Sequence, residues 1–493
     1  MRTVAGKTDH VVVIGAGLGG LSAALHLRGA GRSVTVLERA DRPGGRAGRL
    51  ELDGFRFDTG PTVLTMPHLI DDALAAVGER REEWLTLHRL DPAYRAHYAD
   101  GSTLDVHCEP QRMAAEVERL CGPREAQGYL RFAAFTEALY RTSMRDFIDR
   151  NVDSPLDLVR LNLVRLVAMG GFRRMAPKVG QFFTDERLRR IFSFQALYVG
   201  LSPQQALALY LIVSYMDTVA GVYFPEGGMH SIGVAMAGAA AKHGVDVRLG
   251  TGAEHLELRG DQVVAVVTST GERIPADAVV VNADLPAAYD LLPERLRPAR
   301  PGRLRAAPSC VLLHLGTRGE TSHHTAHHNL HFGTAWRQIF TELIDDGQLM
   351  SDPSLLVTQP TRTDPALAPD GGSTFYVLAP VPNLAVGRQD WSTLAPAYQE
   401  RLLATLEERG YAGLGASVRT SRIITPLDWQ RDGLVSGTPF SFAHSFGQTG
   451  PFRPPNLLPG VANLVLAGCG TVPGVGVPMV LISGRLAAQR ITG

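Results

Sequence analysis

The chain has 493 residues, 45% hydrophobic and 20% charged, with 49 basic and 49 acidic side chains and a formal net charge of zero. That length supports two or three domains with large cores, and the balanced charge argues against any general attraction to nucleic acid. Cys108, Cys121, Cys310 and Cys469 lie far apart with no CxxC spacing, which argues against a disulfide framework or cysteine zinc site and fits a reducing cytoplasm.

The first definite stretch is VVVIGAGLGGLSAALHL at 11–27: an apolar strand beginning near His10, a glycine loop, then a helix. A strand that early leaves no room for a signal peptide before it. Gly15, Gly17 and Gly20, with Gly19 inside the loop, give the spacing GxGxxG. The first glycine permits the tight turn, the second lets backbone approach a pyrophosphate, and the third lets helix and strand pack closely. The helix N-terminus then offers N–H groups and a positive dipole end to the phosphates. A second strand, VTVLE at 34–38, ends in Glu38, about twenty residues on, where the ribose hydroxyl is expected. An acid there disfavours a 2′-phosphate, hence NADP.

The residues after this strand decide between NAD and FAD. An NAD domain would continue with a helix and a third parallel strand. This chain has RPGGRAG at 42–48, with Gly45 and Arg46, and then GFRFDTGPTVLT at 54–65, with Asp58 and Gly60 at its turn. An arginine beside a flexible glycine pair suits an extended cofactor that needs further phosphate contacts. The ordered set resembles the FAD signature of the glutathione reductase and amine oxidase flavoproteins. Candidate cofactor residues here are Gly15, Gly17, Gly19, Gly20, Glu38, Arg39, Gly45, Arg46, Gly60, Pro61 and Thr62. No second GxGxxG follows a strand later, so the flavin is expected to be reduced by the substrate and reoxidised by an external acceptor, oxygen or a quinone.

SPLDLVRLNLVRLVAMGGFRRMAPKVGQFF at 154–183 places Leu156, Val159, Leu163, Leu166 and Val167 at helical spacing beside Arg160, Arg165, Arg173, Arg174 and Lys178. Two readings stay open: a core-facing helix, or an interfacial segment with arginines at anionic headgroups. ALALYLIVSYM at 206–216 is shorter than the roughly 18 residues of a membrane span and reads as a buried helix. FPEGGMHSIGVAMAGAAAKHG at 224–244 is a glycine turn plus helix. VDVRLG at 245–250, VVAVVT at 263–268 and ADAVVVNAD at 276–284 form a strand-rich block contributing Val247 and Asn282 to the candidate cofactor site. PERLRPARPGRLRAAP at 293–308 reads as a crossing between domains. The histidines of SHHTAHHNLHFG at 322–333 lack carboxylate or cysteine company, so no metal is expected.

NLVLAGCGTVPGVGVPMVLISGRLAAQRI at 463–491 returns to strand, glycine turn and helix, adding Gly468, Gly470, Pro478 and Met479. Proline suits a first helical turn, and that N-terminus could face the pyrimidine end of an isoalloxazine. Cys469 reads as a small residue filling the turn rather than a covalent flavin link. The expected fold is α/β: a discontinuous Rossmann-like FAD-binding domain over 1–84, 222–305 and 415–493, and an α+β substrate- and membrane-facing domain over 85–221 and 306–414.

The whole chain resembles the bacterial phytoene desaturases. The residues that carry this are GAGLGGL, ERADRPGGRAG and FDTGPTVLTMP at the front, and FSFQALYVG, VYFPEGGM and VVVNAD in the middle. DPSLLVT, DPALAPDG, FYVLAPVPNL and PFRPPNLLPGVANLVLAGCGTVPGVGVP complete the set. The chain departs at Cys469, Val472 and Met479, where relatives commonly carry Ala, His and Gly. The resemblance implies a noncovalent FAD enzyme, peripheral to membranes, that takes phytoene toward neurosporene or lycopene, with a linear C40 or C30 carotenoid as substrate. A hydrocarbon offers no polar handle, so binding must come from an apolar tunnel at roughly 25 cal/mol per Å² buried, with FSFQALYVG as a candidate lining. A lipid-dissolved substrate also favours the interfacial reading of 154–183.

The chemistry asks for hydride loss to the flavin and proton loss from the neighbouring carbon. Asp157 and Arg160 fall where the family has an Asp and an Arg proposed to act. At i,i+3 they would meet on one helix face, where a buried carboxylate kept ionised by the guanidinium accepts a proton. The alternative is a solvated pair worth under about 1 kcal/mol. Other functions compatible with the pattern are an amine oxidase, a redox-neutral carotene isomerase, and a prenyl-binding escort protein without flavin.

Overall fold

The computed structural model describes residues 1–298, 304–319 and 325–493. Strand His10–Ile14 is apolar along its length because it has parallel neighbours on both sides and cover on both faces. It pairs with Ser33–Leu37 on one side and Ala278–Val281 on the other. Asp246–Arg248 and Leu464–Leu466 complete a five-stranded parallel sheet. Segments more than 400 residues apart in the 493-residue chain are thus hydrogen-bonded into one sheet. Helices Leu18–Gly29, His230–Lys242 and Val477–Thr492 pack on one face. Their approach is close: a Cβ on Gly484 would lie 2.1 Å from the Gly19 carbonyl oxygen. The antiparallel strands Ala253–Arg259, Gln262–Thr268 and Arg273–Pro275 cover the opposite face.

A second, seven-stranded sheet runs in the order Val418–Ile424, Ser309–Arg318, Gly372–Val381, Leu355–Thr358, His328–His331, Tyr94–His97, Thr103–Val106. Helix Trp391–Glu408 packs on one face. Phe55 of strand Phe55–Asp58 lies against Gly316, so this sheet borders the segment that carries the Gly60 turn. Helices Pro110–Cys121 and Pro123–Ser143 build the other substrate-side core, with Tyr129, Phe132, Phe183 and Phe192 buried among them. Strand Val418–Ile424 differs from the sequence reading, which put everything from 415 onward with the cofactor domain. It is an edge strand of the second sheet, held by antiparallel pairing to Ser309–Arg318.

Segment 154–183 is not one helix. Pro155–Leu158 is a 3₁₀ turn, Leu161–Ala168 the only full helical stretch, and Met175–Val179 a short one. Gly170, at φ +78°, ends the middle piece. The apolar stripe is split: Leu156, Val159 and Val167 are 78%, 69% and 60% exposed, Leu163 is half-buried and Leu166 buried, while Leu161 and Val164, outside the expected stripe, are 67% and 64% exposed. The run 206–216 is buried but broken, with the helical turns Ala208–Tyr210 and Leu211–Tyr215. Among the described residues no helix is long and apolar enough to cross a membrane. His323 and His324, and the centre of the proline-arginine crossing at 299–303, lie outside the described residues.

Candidate cofactor and substrate site

The glycine loop between His10–Ile14 and Leu18–Gly29 is crowded in ways that only glycine allows. Gly15 adopts φ +99°, and a Cβ on it would lie 2.8 Å from the Asn282 carbonyl oxygen. A Cβ on Gly20 would sit 2.0 Å from the Gly15 carbonyl, which is the close helix–strand packing expected of the third glycine. Gly17 is the N-cap of the helix and has no side chain to satisfy its first N–H groups, which are therefore free for an anion. The Asn282 side chain projects from the end of Ala278–Val281 into this cradle. Its amide lies 2.9, 2.7 and 3.1 Å from Cβ positions built on Gly17, Gly19 and Gly20, and its oxygen 3.0 Å from one built on Gly468.

Glu38 is buried at the end of the second strand, its carboxylate accepting from the backbone N–H groups of Ala16 at 2.8 Å and Ala40 at 2.9 Å. Val247 pairs with Val36 beside it. Gly44 donates its N–H to the Ala16 carbonyl at 2.8 Å, and a Cβ on Gly45 would lie 3.1 Å from the Gly17 Cα. The two glycine motifs therefore pack directly against each other. Arg46 crosses to the C-terminal turn: its guanidinium nitrogens lie 3.1 Å from Cys469 Sγ, and Nη1 donates to the Pro439 carbonyl at 2.7 Å. Gly470 abuts Leu285, with a built Cβ 2.7 Å from its Cγ. Pro478 opens helix Val477–Thr492 behind Gly476, and Met479 follows it half-buried. Arg39 lies apart from these residues: it is exposed, and its guanidinium donates to the Asp432 carbonyl at 2.8 Å.

The Gly60 turn is held from the second sheet. His314 Nε2 lies 3.0 Å from the Asp58 carbonyl, Tyr376 donates its hydroxyl to the Gly60 carbonyl at 2.7 Å, and Thr358 donates to Thr62 Oγ1 at 3.4 Å. Pro61 is half-buried between them. Burial pushes the Asp58 carboxyl up to about 7, against the pull of backbone N–H groups from Met229 and His230.

The expected meeting of Asp157 with Arg160 does not occur. The Asp157 carboxylate accepts from the backbone N–H groups of Asp153 and Ser154, closing a capping box, and those bonds hold it below the usual carboxylate range. Arg160 is exposed; it donates to the Asp157 backbone carbonyl and reaches Asp146 at 3.8 Å. Pro155 starts a 3₁₀ turn that ends at Leu158, so the two residues never share a helix face. Neighbouring Asp153 pairs with Arg490 at 2.6 Å, near the far end of the helix that Val477 begins, about 20 Å along its axis.

A buried acid that the sequence reading passed over lies instead within the substrate-side core. Asp217 is fully buried, with Gln195 Nε2 at 3.3 Å and the Tyr94 hydroxyl at 3.5 Å. Burial drives it well above the carboxylate range, with those two hydrogen bonds opposing. Its only sequence signal was position, one acid closing the apolar run 206–216.

A parallel sheet with a glycine-lined crevice at its strand ends, a buried acid after the second strand and a second sheet over the crevice define a dinucleotide flavoprotein. The family model described as flavin containing amine oxidoreductase matches residues 18–492. The chain belongs to that family, and FAD is its cofactor. It is 59% identical over 495 residues to a phytoene dehydrogenase of Streptomyces griseus, covering 100% of this chain and 97% of that one. It is also 38% identical to a zeta-carotene-forming phytoene desaturase of Myxococcus xanthus, over 98% of this chain and 93% of that one. Among solved structures, an oxidoreductase from Methanosarcina mazei shares the fold, with TM-score 0.60 and 18% identity, over 97% of this chain and 99% of that one. The residues in the crevice fit the cofactor: an uncapped helix N-terminus, glycines where a Cβ would fill the cradle, and a buried acid at the ribose position.

Proposed function

We propose that the protein desaturates a linear carotenoid precursor, taking phytoene toward neurosporene or lycopene. The observation that carries this reading is full-length similarity to a phytoene dehydrogenase. The glycine loop at Gly15, Gly17, Gly19 and Gly20 would hold the pyrophosphate, Glu38 the ribose and Val247 the adenine side. Gly45, Arg46, Gly468, Gly470, Pro478 and Met479 would surround the rest of the cofactor, with Gly60, Pro61 and Thr62 under the ring. FAD, when bound, supplies the two-electron acceptor for hydride lost from an allylic carbon. The chain's own task is to enclose the polyene in a dry, apolar space, and Phe192, Phe194 and Phe332, all buried in the substrate-side core, suit it. Expression in a phytoene-accumulating bacterium, with the pigment identified by absorption and mass, tests this. Colourless cells, or a carotene isomer with no loss of hydrogen, would overturn it.

The outward apolar side chains over 156–167 are our candidate for membrane contact. Five exposed aliphatic side chains stand beside Arg160, Arg165, Arg173 and Arg174, also exposed, a composition suited to lying in an anionic headgroup region. Such seating would put the protein where its substrate dissolves, and would give reduced flavin access to a membrane quinone as well as to oxygen.

A further inference from the structure

One row of side chains crosses the second sheet at a single register. His314 pairs with Tyr376, Tyr376 with Thr358, and Thr358 with His328, on four neighbouring strands, so all four point to the same face. The first three hold alternate residues of the flavin turn: the Asp58 carbonyl, the Gly60 carbonyl and the Thr62 hydroxyl. His328 is next in the row. Among the described residues it is tied to the same turn through Thr358 alone, at 2.9 Å from Nδ1.

With Thr358 donating to Thr62 at 3.4 Å, its oxygen accepts from the Nδ1–H of His328; in the other tautomer Thr358 donates to Nδ1 instead. In the first tautomer, the one the proposal below takes, Nε2 is the unprotonated nitrogen. It is buried and, among the described residues, has no hydrogen-bond partner. His327 repeats the pattern, with Nδ1 2.7 Å from Thr363 Oγ1 and a buried Nε2 also without a partner. The two rings are 4.5 Å apart. Buried polar atoms are nearly always satisfied, so two unpartnered nitrogens on neighbouring rings beside the Gly60 turn point to a ligand seated there. Burial, with His327 as neighbour, holds His328 well below the ordinary imidazole range, and burial takes His327 down to about 3. Both rings are therefore neutral at physiological pH.

We propose that His328 Nε2, with His327 beside it, is the proton acceptor of the desaturation. This rests on the desaturase reading above. A hydride leaves the allylic carbon with its bonding pair, with FAD as the oxidant. The adjacent C–H bond then breaks; its electron pair becomes the new π bond and its proton goes to Nε2, giving an imidazolium. One single bond becomes double and two hydrogens are lost. A C–H bond beside a polyene cation is acidic enough for a weak base, so placement of the lone pair matters more than basicity.

The test uses the FAD-loaded protein labelled with ¹⁵N-histidine, with His328→Asn, His328→Gln and His327→Asn. Asparagine keeps a donor toward Thr358 and deletes the open nitrogen. In the native protein the signal that His328→Asn removes should have the shift of a lone-pair Nε2, unchanged down to pH 5. His328→Asn should take up FAD normally yet bleach its flavin with phytoene, anaerobically and in a single turnover, at least about 100-fold more slowly; His327→Asn should lose less. A protonated Nε2 at the native signal that both His328→Asn and His328→Gln remove overturns the proposal, and so does bleaching within threefold of native in either variant. Failure of phytoene to bleach native flavin sinks the desaturase reading instead, and the proposal with it.

Discussion

Gly17→Ala and Gly20→Ala should fail in different ways, because the two glycines meet different neighbours. At Gly20 a methyl group would lie 2.0 Å from the Gly15 carbonyl oxygen. Strand and helix must separate by more than 1 Å to admit it, a backbone shift at the upper end of overpacking costs, about 3 kcal/mol or more. At Gly17 the backbone is ordinary, φ −68°, and the nearest atom is Asn282 Nδ2 at 2.9 Å, the movable end of a side chain. Folding should lose only about 1 kcal/mol there, chiefly the less favourable N-cap. The methyl would instead stand where the pyrophosphate must approach. Loss of one or two N–H bonds to a charged group is worth about 2–4 kcal/mol, roughly a 30- to 1,000-fold weaker Kd. The assay strips FAD, measures thermal unfolding of the apoproteins by circular dichroism, and titrates the cofactor back by fluorescence. Gly17→Ala apoprotein should melt within a few degrees of native and bind FAD poorly; Gly20→Ala should melt far lower. Native-like FAD affinity in Gly17→Ala, or native-like melting in Gly20→Ala, would refute the placement of the cradle.

Asp58 predicts a pH dependence. Its folded value is raised to about 7, so between about pH 4 and 7 the folded chain keeps a proton the unfolded chain has lost, and stability falls as pH rises through that window. The loss is on the order of 4 kcal/mol at most; urea unfolding of Asp58→Asn should show a correspondingly flatter dependence, and an unchanged slope would contradict it. Replacing Leu161 and Val164 with Ser should weaken binding to anionic vesicles by about 2–4 kcal/mol with little change in melting temperature, checked by flotation; unaltered flotation would remove the membrane assignment. Asp157→Asn and Arg160→Ala should leave single-turnover flavin reduction near native, with only a small loss of stability from the capping box in the first. A large kinetic loss in either would restore the acid–base role that their spacing suggested.

Much of the cofactor half was legible because a mononucleotide-binding unit is written locally. Strand, glycine spacing, helix and following acid lie within 10–38, and Gly20 is required by its contact with the Gly15 carbonyl five residues away, although Gly15 and Gly19 are crowded by the distant Asn282. The return of the C-terminal strand and helix could be read for the same reason. Asp157 and Arg160 misled because spacing implies a shared helix face only if a helix is present, and Pro155 with its capping box makes a 3₁₀ turn instead. Strand Val418–Ile424 was misplaced because which sheet a strand joins is settled by its partner, here Ser309–Arg318, and not by its own residues.

The linear order of residues determined the dinucleotide and the discontinuous parallel sheet, since these depend on short-range pattern and periodicity. Only the tertiary structure decided which way the side chains at 156–167 face, that Asp217 is a buried acid, and that His328 completes a row of side chains beside the Gly60 turn. Those properties arise from burial and from pairing between strands, which no short stretch of sequence carries.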